Sequence, residues 1–195
     1  MMNHLYVTNP FDDSPVGKVN LSSESEVDAA LAIAEKTHRN NKKGLPKYER
    51  VAILKKAAEI MKGRATELAL LIASEGGKPL IDAKVEVERA IDGVETCASE
   101  IANNSGLEIP MDLTPAGEGK MAFTTKEPIG PVVAISAFNH PLNLIVHQVG
   151  PAVAAGNPVI VKPADDTPLC CEAFIKILHQ AGLAPEWAQF ICCDV

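Results

Sequence analysis

The sequence predicts an α/β fold, a parallel sheet with helices on its faces, and three observations carry that expectation. Pro131–Ser136 and Pro158–Val161 are short runs rich in Val and Ile, each bounded by turn residues, as buried strands are. Between them, Pro141 stands where a first helical residue would, and Gly156–Asn157 forms a C-cap pair. A strand–helix–strand unit of this length is a right-handed parallel crossover. The alternation then continues, with a helix from Thr167 or Pro168 to Gln180, a stop at Gly182, and a third parallel strand over Trp187–Cys193.

Upstream, residues 5–20 read as an arm of two short strands around a turn at Asn9–Pro10 and Asp12–Asp13. Ser23 caps the first helix and Glu26 completes a capping box, with Val27, Leu31 and Ala34 as its apolar face. Lys42–Lys43–Gly44 is a solvated break. A second helix starts near Pro46 and carries Val51, Leu54, Ala58 and Met61; it continues or restarts through Leu68, Leu71 and Ile72 up to Gly76–Gly77. A third, from about Pro79 to Asn103, aligns Val87, Ile91, Val94, Ala98 and Ile101, leaving its many glutamates on a solvated face. A breaker cluster at 103–106 is followed by two extended segments, LEIPMDL and KMAFTTKEP, around a second cluster at 115–119, which reads as a projecting hairpin. The divisions expected are therefore 1–104, 105–128 and 129–195.

Composition removes several function classes. The 195 residues are 47% hydrophobic, enough for a sizeable core, and carry a formal net charge of −7 with no basic run, which disfavours nucleic acid as a partner. No apolar run reaches a membrane span, and the N-terminus does not read as a signal peptide. The five cysteines (Cys97, Cys170, Cys171, Cys192, Cys193) lack C-x-x-C spacing, so reduced thiols in a cytoplasm are expected, and no metal site. Each falls in an expected helix or strand as a structural thiol.

Ligands of parallel α/β sheets bind beyond the carboxyl ends of the strands, where Asn139 and Lys162 fall. Spacing alone leaves each with an ordinary alternative: Asn139 as a helix N-cap, Lys162 as an exposed strand-end lysine. His140, Leu144 and His147, at i, i+4 and i+7, share one helix face that could equally meet solvent or a partner.

The ordered series EPIGPVVAIS, Phe138–Asn139–His140–Pro141–Leu142, GPAVAAGN and Lys162–Pro163–Ala164, together with SEGGKPLIDA, resembles the aldehyde dehydrogenase superfamily. That resemblance implies a Rossmann-like cofactor domain with an N-terminal helical region and a hairpin that mediates oligomer formation. It implies NAD(P)-dependent oxidation of an aldehyde to a carboxylic acid. Asn139 matches the donor to the oxyanion, and Ser136, Ala137 and Phe138 match the backbone beside the nicotinamide. Lys162 matches the lysine on the adenosine ribose, and Asp165 stands where a glutamate shares its hydroxyls, which favours NAD over NADP. His140, Leu144 and His147 match the substrate tunnel, where two histidines would suit a polar or anionic aldehyde; Gln148 replaces a common lysine.

No cysteine matches the nucleophile. The resemblance covers almost the whole chain, while the chain covers less than half of the family's length. The nucleophile, the general base and the glycine-rich nicotinamide turn are expected beyond Val195. The partners expected are a small-molecule aldehyde and either further copies of the chain or a complementary C-terminal chain. The alternative is a non-catalytic truncated or split gene product that binds cofactor weakly or assembles with a partner, with the strand edge at Gln189–Cys193 open to aggregation.

Overall fold

An antiparallel ribbon opens the chain: β1 (His4–Thr8) pairs with β2 (Pro15–Asn20), Leu5 opposite Val19 and Val7 opposite Gly17. The computed structural model describes residues 4–42 and 44–193; Lys43 of the expected break and Asp194–Val195 lie outside the described residues. Within the turn, Asn9 Oδ1 accepts from Phe11 N at 2.9 Å, and Asp13 takes the left-handed conformation that Asp tolerates, φ 57°.

Helix α1 (Glu24–Asn40) begins with the capping box expected: Ser23 N donates to Glu26 Oε2 at 2.8 Å, and Glu26 N donates to Ser23 Oγ at 3.4 Å. Its inner face is not Val27–Leu31–Ala34 but Ala30, Ala34 and Thr37, and Leu31 is exposed. Small residues win because the helix lies close against the sheet, where Gln189 Nε2 reaches the carbonyl of Ala30 at 3.0 Å. Next come α2 (Lys47–Gly63) and α3 (Ala65–Gly76), so the second helical stretch restarts, breaking at Arg64. The long α4 (Leu80–Asn103) buries Val87, Ile91, Val94, Ala98 and Ile101 as its spacing predicts. Strands β3 (Glu108–Ile109) and β4 (Ala122–Phe123) form a two-stranded antiparallel ribbon with Leu107, Leu113, Met121 and Phe123 exposed.

The last third of the chain is the parallel unit: β5 (Val132–Ile135), α5 (Asn143–Ala155), β6 (Val159–Lys162), α6 (Pro168–Ala181) and β7 (Ala188–Phe190). The sheet order is β5-β6-β7, with Ala134 opposite Val161 and Val161 opposite Phe190. This is the Rossmann-like pattern of parallel strands joined by helical crossovers. Val159 and Val161 face the main core of α2 to α6, while Ile160 points the other way and packs on Ala30 and Ala34 of α1. A strand covered on both faces has to be apolar throughout, which is why β6 reads VIV. On the α1 side, Val133 and Ile135 of β5 remain exposed.

Two boundaries differ from the sequence reading. Only Ala188–Phe190 of the stretch 187–193 is a strand: Trp187 ends a 3-10 turn begun at Pro185, and the Cys192 carbonyl accepts from Ser22 N at 2.6 Å, drawing the chain off the sheet. Cys192 and Cys193 therefore lie beyond the strand. Helix α5 starts at Asn143, two residues after Pro141, because another element supplies its cap. Among the described residues no helix is long and apolar enough to cross a membrane, and no group of His, Cys, Asp or Glu could hold a metal ion.

Candidate functional site

Two buried carboxylates govern the loops at the carboxyl end of the sheet. Glu86 of α4, which the heptad-like pattern leaves with the solvated glutamates, is only 2% exposed. It sits on the inner face because it is three residues past Ala83 and four before Ala90, both buried. Glu86 Oε1 accepts from Leu142 N at 3.0 Å and Asn143 N at 3.1 Å, so it caps α5 from outside. Glu75 of α3 does the same for α6, accepting from Leu169 N at 2.8 Å and Cys170 N at 2.9 Å. Burial pushes the Glu75 carboxyl above its ordinary range, against the opposing pull of these hydrogen bonds.

Glu86 has its own counter-charge. Lys78 Nζ pairs with Glu86 Oε2 and donates to the Asn139 carbonyl at 2.6 Å. The Nδ1 of His140 lies 3.0 Å from Lys78 Nζ and 3.3 Å from Glu86 Oε2. A stranded buried carboxylate would cost several kcal/mol, so the Lys78 contact is what makes this cap tolerable. Its result is geometric: the turn carrying Asn139 is fixed at its carbonyl by Lys78 and at its exit by Glu86. The Asn139 side chain is exposed, makes no hydrogen bond to the described residues and is not the helix cap.

At the neighbouring strand end, Lys162 Nζ lies 2.6 Å from Asp165 Oδ1. Ser136 N donates to Lys162 O at 2.9 Å, and Thr167 Oγ1 donates to Phe138 O at 3.4 Å, which joins the two loops. Phe138, Asn139, Asp165 and Asp166 line one cavity of about 660 Å³ together with Leu5–Thr8 of β1, Glu75 and Lys78. Ser136 is buried and Ala137 exposed, and neither lines this cavity.

The three residues of the expected tunnel face are separated. His140 precedes α5 and turns to Lys78 and Glu86, Leu144 is half-buried, and His147 is exposed in a groove between α4 and α5 with Arg89, Asp92 and Asn143. None of the cysteines is disulfide-bonded. Burial raises the thiols of Cys97, Cys170, Cys171 and Cys192, that of Cys171 to about 12.

The aldehyde dehydrogenase family model matches residues 2–194. The chain belongs to the aldehyde dehydrogenase family. Over 188 residues it is 37% identical to a 3-sulfolactaldehyde dehydrogenase of Priestia aryabhattai, a match covering 96% of this chain and 39% of that protein. The fold superposes with a TM-score of 0.94 and 34% identity on aldehyde dehydrogenase 21 of Physcomitrella patens in complex with the product succinate, over 99% of this chain and 40% of that one. A glyceraldehyde-3-phosphate dehydrogenase of Methanocaldococcus jannaschii complexed with NADP gives 0.90 and 32%, over 100% and 42%. The chain thus spans about two fifths of the aldehyde dehydrogenases it matches. Lys78, Glu75, Glu86 and Arg89 are the site-region residues that residue spacing does not single out; burial inside an apolar helical stripe is the signal that finds Glu86.

Proposed function

We propose that this chain supplies the cofactor-binding part of an NAD(P)-dependent aldehyde dehydrogenase that oxidises a polar or anionic aldehyde to a carboxylic acid. The observation that carries the reading is the adjacency of the Lys162–Asp165 pair and the Asn139 turn at the ends of two parallel strands. An ammonium donor beside a carboxylate acceptor fits a ribose diol, and the loops above them leave room for a dinucleotide. A bound nicotinamide supplies the hydride acceptor. Asp165 and Asp166 together disfavour a 2′-phosphate, which makes NAD the first candidate, whereas Lys162 keeps NADP as the second.

In this reading the Asn139 carboxamide donates to the oxygen of the aldehyde as it becomes an alkoxide, the step at which fixed donors contribute most. Its value there depends on immobility, and the Lys78 and Glu86 contacts to the turn supply that. Ser136, Ala137 and Phe138 give the wall along the nicotinamide. The exposed apolar row on the β3–β4 ribbon supports a role in joining copies of the chain or a complementary C-terminal chain. Five free cysteines fit a cytoplasmic setting.

Turnover needs a nucleophilic thiolate and a general base, and the raised thiols of Cys97, Cys170, Cys171 and Cys192 are poor candidates. Cys193, the fifth thiol, lies beyond β7 and outside the cavity that Asn139 lines, so the chain by itself binds cofactor without oxidising aldehyde. Calorimetry with NAD, NADP and ADP-ribose tests this: weak binding is expected, with NAD ahead of NADP and a large loss in Lys162→Ala. Unchanged affinity in Lys162→Ala removes Lys162 from the site, and tighter binding of NADP overturns the role of Asp165. Steady NAD(P)H formation by the chain alone, lost on mutating one of its cysteines, overturns the non-catalytic half.

A further inference from the structure

We propose that the cavity at the C-terminal end of α5, where Arg50, Lys47 and Lys126 converge, is a binding site for a phosphate group, carried by a small phosphate monoester or as the free anion. The cavity has a volume of about 470 Å³ and is lined by Lys47 and Arg50 of α2, by Asn104 after α4, and by Thr125, Lys126 and Glu127 after β4. Among the described residues it shares no lining with the cavity that Asn139 lines. It therefore stands apart from the dinucleotide reading and does not depend on it.

Arg50 is the residue that asks for a ligand. It is only 6% exposed, yet no carboxylate pairs with it among the described residues. Its Nη1 donates to the Ala154 carbonyl in the last turn of α5, while its Nε is buried without a partner. Burial alone moves the guanidinium below its ordinary 12.5, with no neighbouring charge pulling the other way. An arginine stays charged in a protein and carries five donors, so one carbonyl leaves most of its capacity unused. A buried cation without a counter-charge is costly to keep, and an anion entering the cavity removes that cost. The group is also hemmed in. A Cβ on Gly156 would stand 3.2 Å from Arg50 Nη1, and one on Gly44 would stand 2.7 Å from the Gly156 carbonyl oxygen.

The charges around Arg50 define the anion. Lys47 is exposed, and its Nζ donates to the Asn104 carbonyl at 3.1 Å without meeting a carboxylate. Lys126 is exposed and forms no ion pair among the described residues. Glu127 is the one carboxylate on the described lining, so three cations less one anion leave a local balance of plus two. Glu49, in the first turn of α2, is outside the lining and accepts from the Tyr48 hydroxyl at 2.8 Å. A planar carboxylate is satisfied by a single arginine fork, whereas cations arriving from separate segments suit a dianion with oxygens on several sides. Phosphate monoesters approach that charge above about pH 7. The start of α2 has no side-chain cap, so its first backbone donors face the same anion with the positive end of a 17-residue helix behind them. The Thr125 hydroxyl and the Asn104 carboxamide complete the polar lining. A phosphate held there joins the stem of the β3–β4 ribbon to α2 and α5.

The test titrates the purified chain with inorganic phosphate and with glycerol 3-phosphate at fixed ionic strength, followed by backbone amide resonances. Saturable shifts at Lys47, Thr125 and Gly156 are expected, with affinity about tenfold weaker in Lys47→Gln/Lys126→Gln and tighter in Glu127→Gln. These side chains are exposed, so the variants keep the fold. Arg50→Lys keeps the charge but loses the fork and should also weaken binding. Tighter binding of glycerol 3-phosphate assigns the site to a phosphorylated metabolite, and tighter binding of inorganic phosphate assigns it to the free anion; both support the site. Absence of saturable shifts at the three amides with either probe, unchanged affinity in the double lysine variant, or acetate binding as tightly as phosphate overturns it.

Discussion

Lys78 Nζ lies 2.6 Å from the carbonyl oxygen of Asn139 while pairing with the wholly buried carboxylate of Glu86. One ammonium therefore ties the loop after β5 to the helix α4. Replacing it by methionine keeps the stem but strands Glu86, and the expected loss is about 3–5 kcal/mol, as for other broken buried pairs. Lys78→Met/Glu86→Gln should recover part of that loss, since the amide carries no charge to strand. Urea denaturation of Lys78→Met, Glu86→Gln and the double variant measures it; an additive double variant would show the pair to be uncoupled.

Glu75 predicts a pH dependence. Its folded value is raised above the ordinary 4.5, mainly by burial. A raised carboxyl binds its proton more tightly in the folded state, so its contribution to stability is full below about 4.5 and is lost as pH rises through the folded value. Glu75→Gln removes this titration while keeping one acceptor. The difference in unfolding free energy between wild type and Glu75→Gln should therefore shift against the wild type as pH rises from 4 to 7. A difference that is flat with pH, or slopes the other way, contradicts the assigned direction.

The thiols give a kinetic prediction. With Cys171 at about 12, roughly one part in ten thousand is thiolate at pH 8, and Cys170 is raised as well. In the native protein both should resist iodoacetamide for hours and react at once in denaturant, whereas the half-buried Cys193 should react without unfolding. Peptide mapping of the alkylated chain reads the order directly.

Gly156 ends α5 in the left-handed conformation, φ 86°, and a Cβ there would stand 3.2 Å from Arg50 Nη1 and 3.3 Å from both Gly44 Cα and Pro128 Cγ. Gly156→Ala meets conformational strain and crowding together and should cost more than about 1 kcal/mol. A thermal midpoint equal to wild type would show that the neighbours give way.

The parallel unit was legible because strands buried on both faces leave unbroken apolar runs, as Val159–Val161 does, and because Gly156 and Gly182 mark helix ends that only glycine reaches comfortably. Ser23 and Glu26 were legible for the same local reason: a capping box lies within four residues. The start of α5 was not, because its cap is Glu86, more than fifty residues away, and local chemistry favours Pro141 instead. The three-residue β7 was likewise hidden, since the residues after Phe190 have strand-like composition but Cys192 bonds to Ser22. In the site, Asn139, Phe138 and Asp165 meet at one cavity, and Lys162 joins them through Asp165. Arg89 could not be paired with His147 from spacing, because their proximity comes from the packing of α4 on α5.

Helices α5 and α6 each take their cap from a glutamate that belongs to an earlier helix, Glu86 of α4 and Glu75 of α3. The first turns of both crossovers are thus written in two places along the gene. Recombination that moves residues 129–193 alone onto a chain without carboxylates at these two positions would leave four backbone donors unanswered, those of Leu142, Asn143, Leu169 and Cys170. Inheritance of the loops around Asn139 and Asp165 is coupled to inheritance of the segment from Glu75 to Glu86, and chimaeras that carry both together are the ones to build.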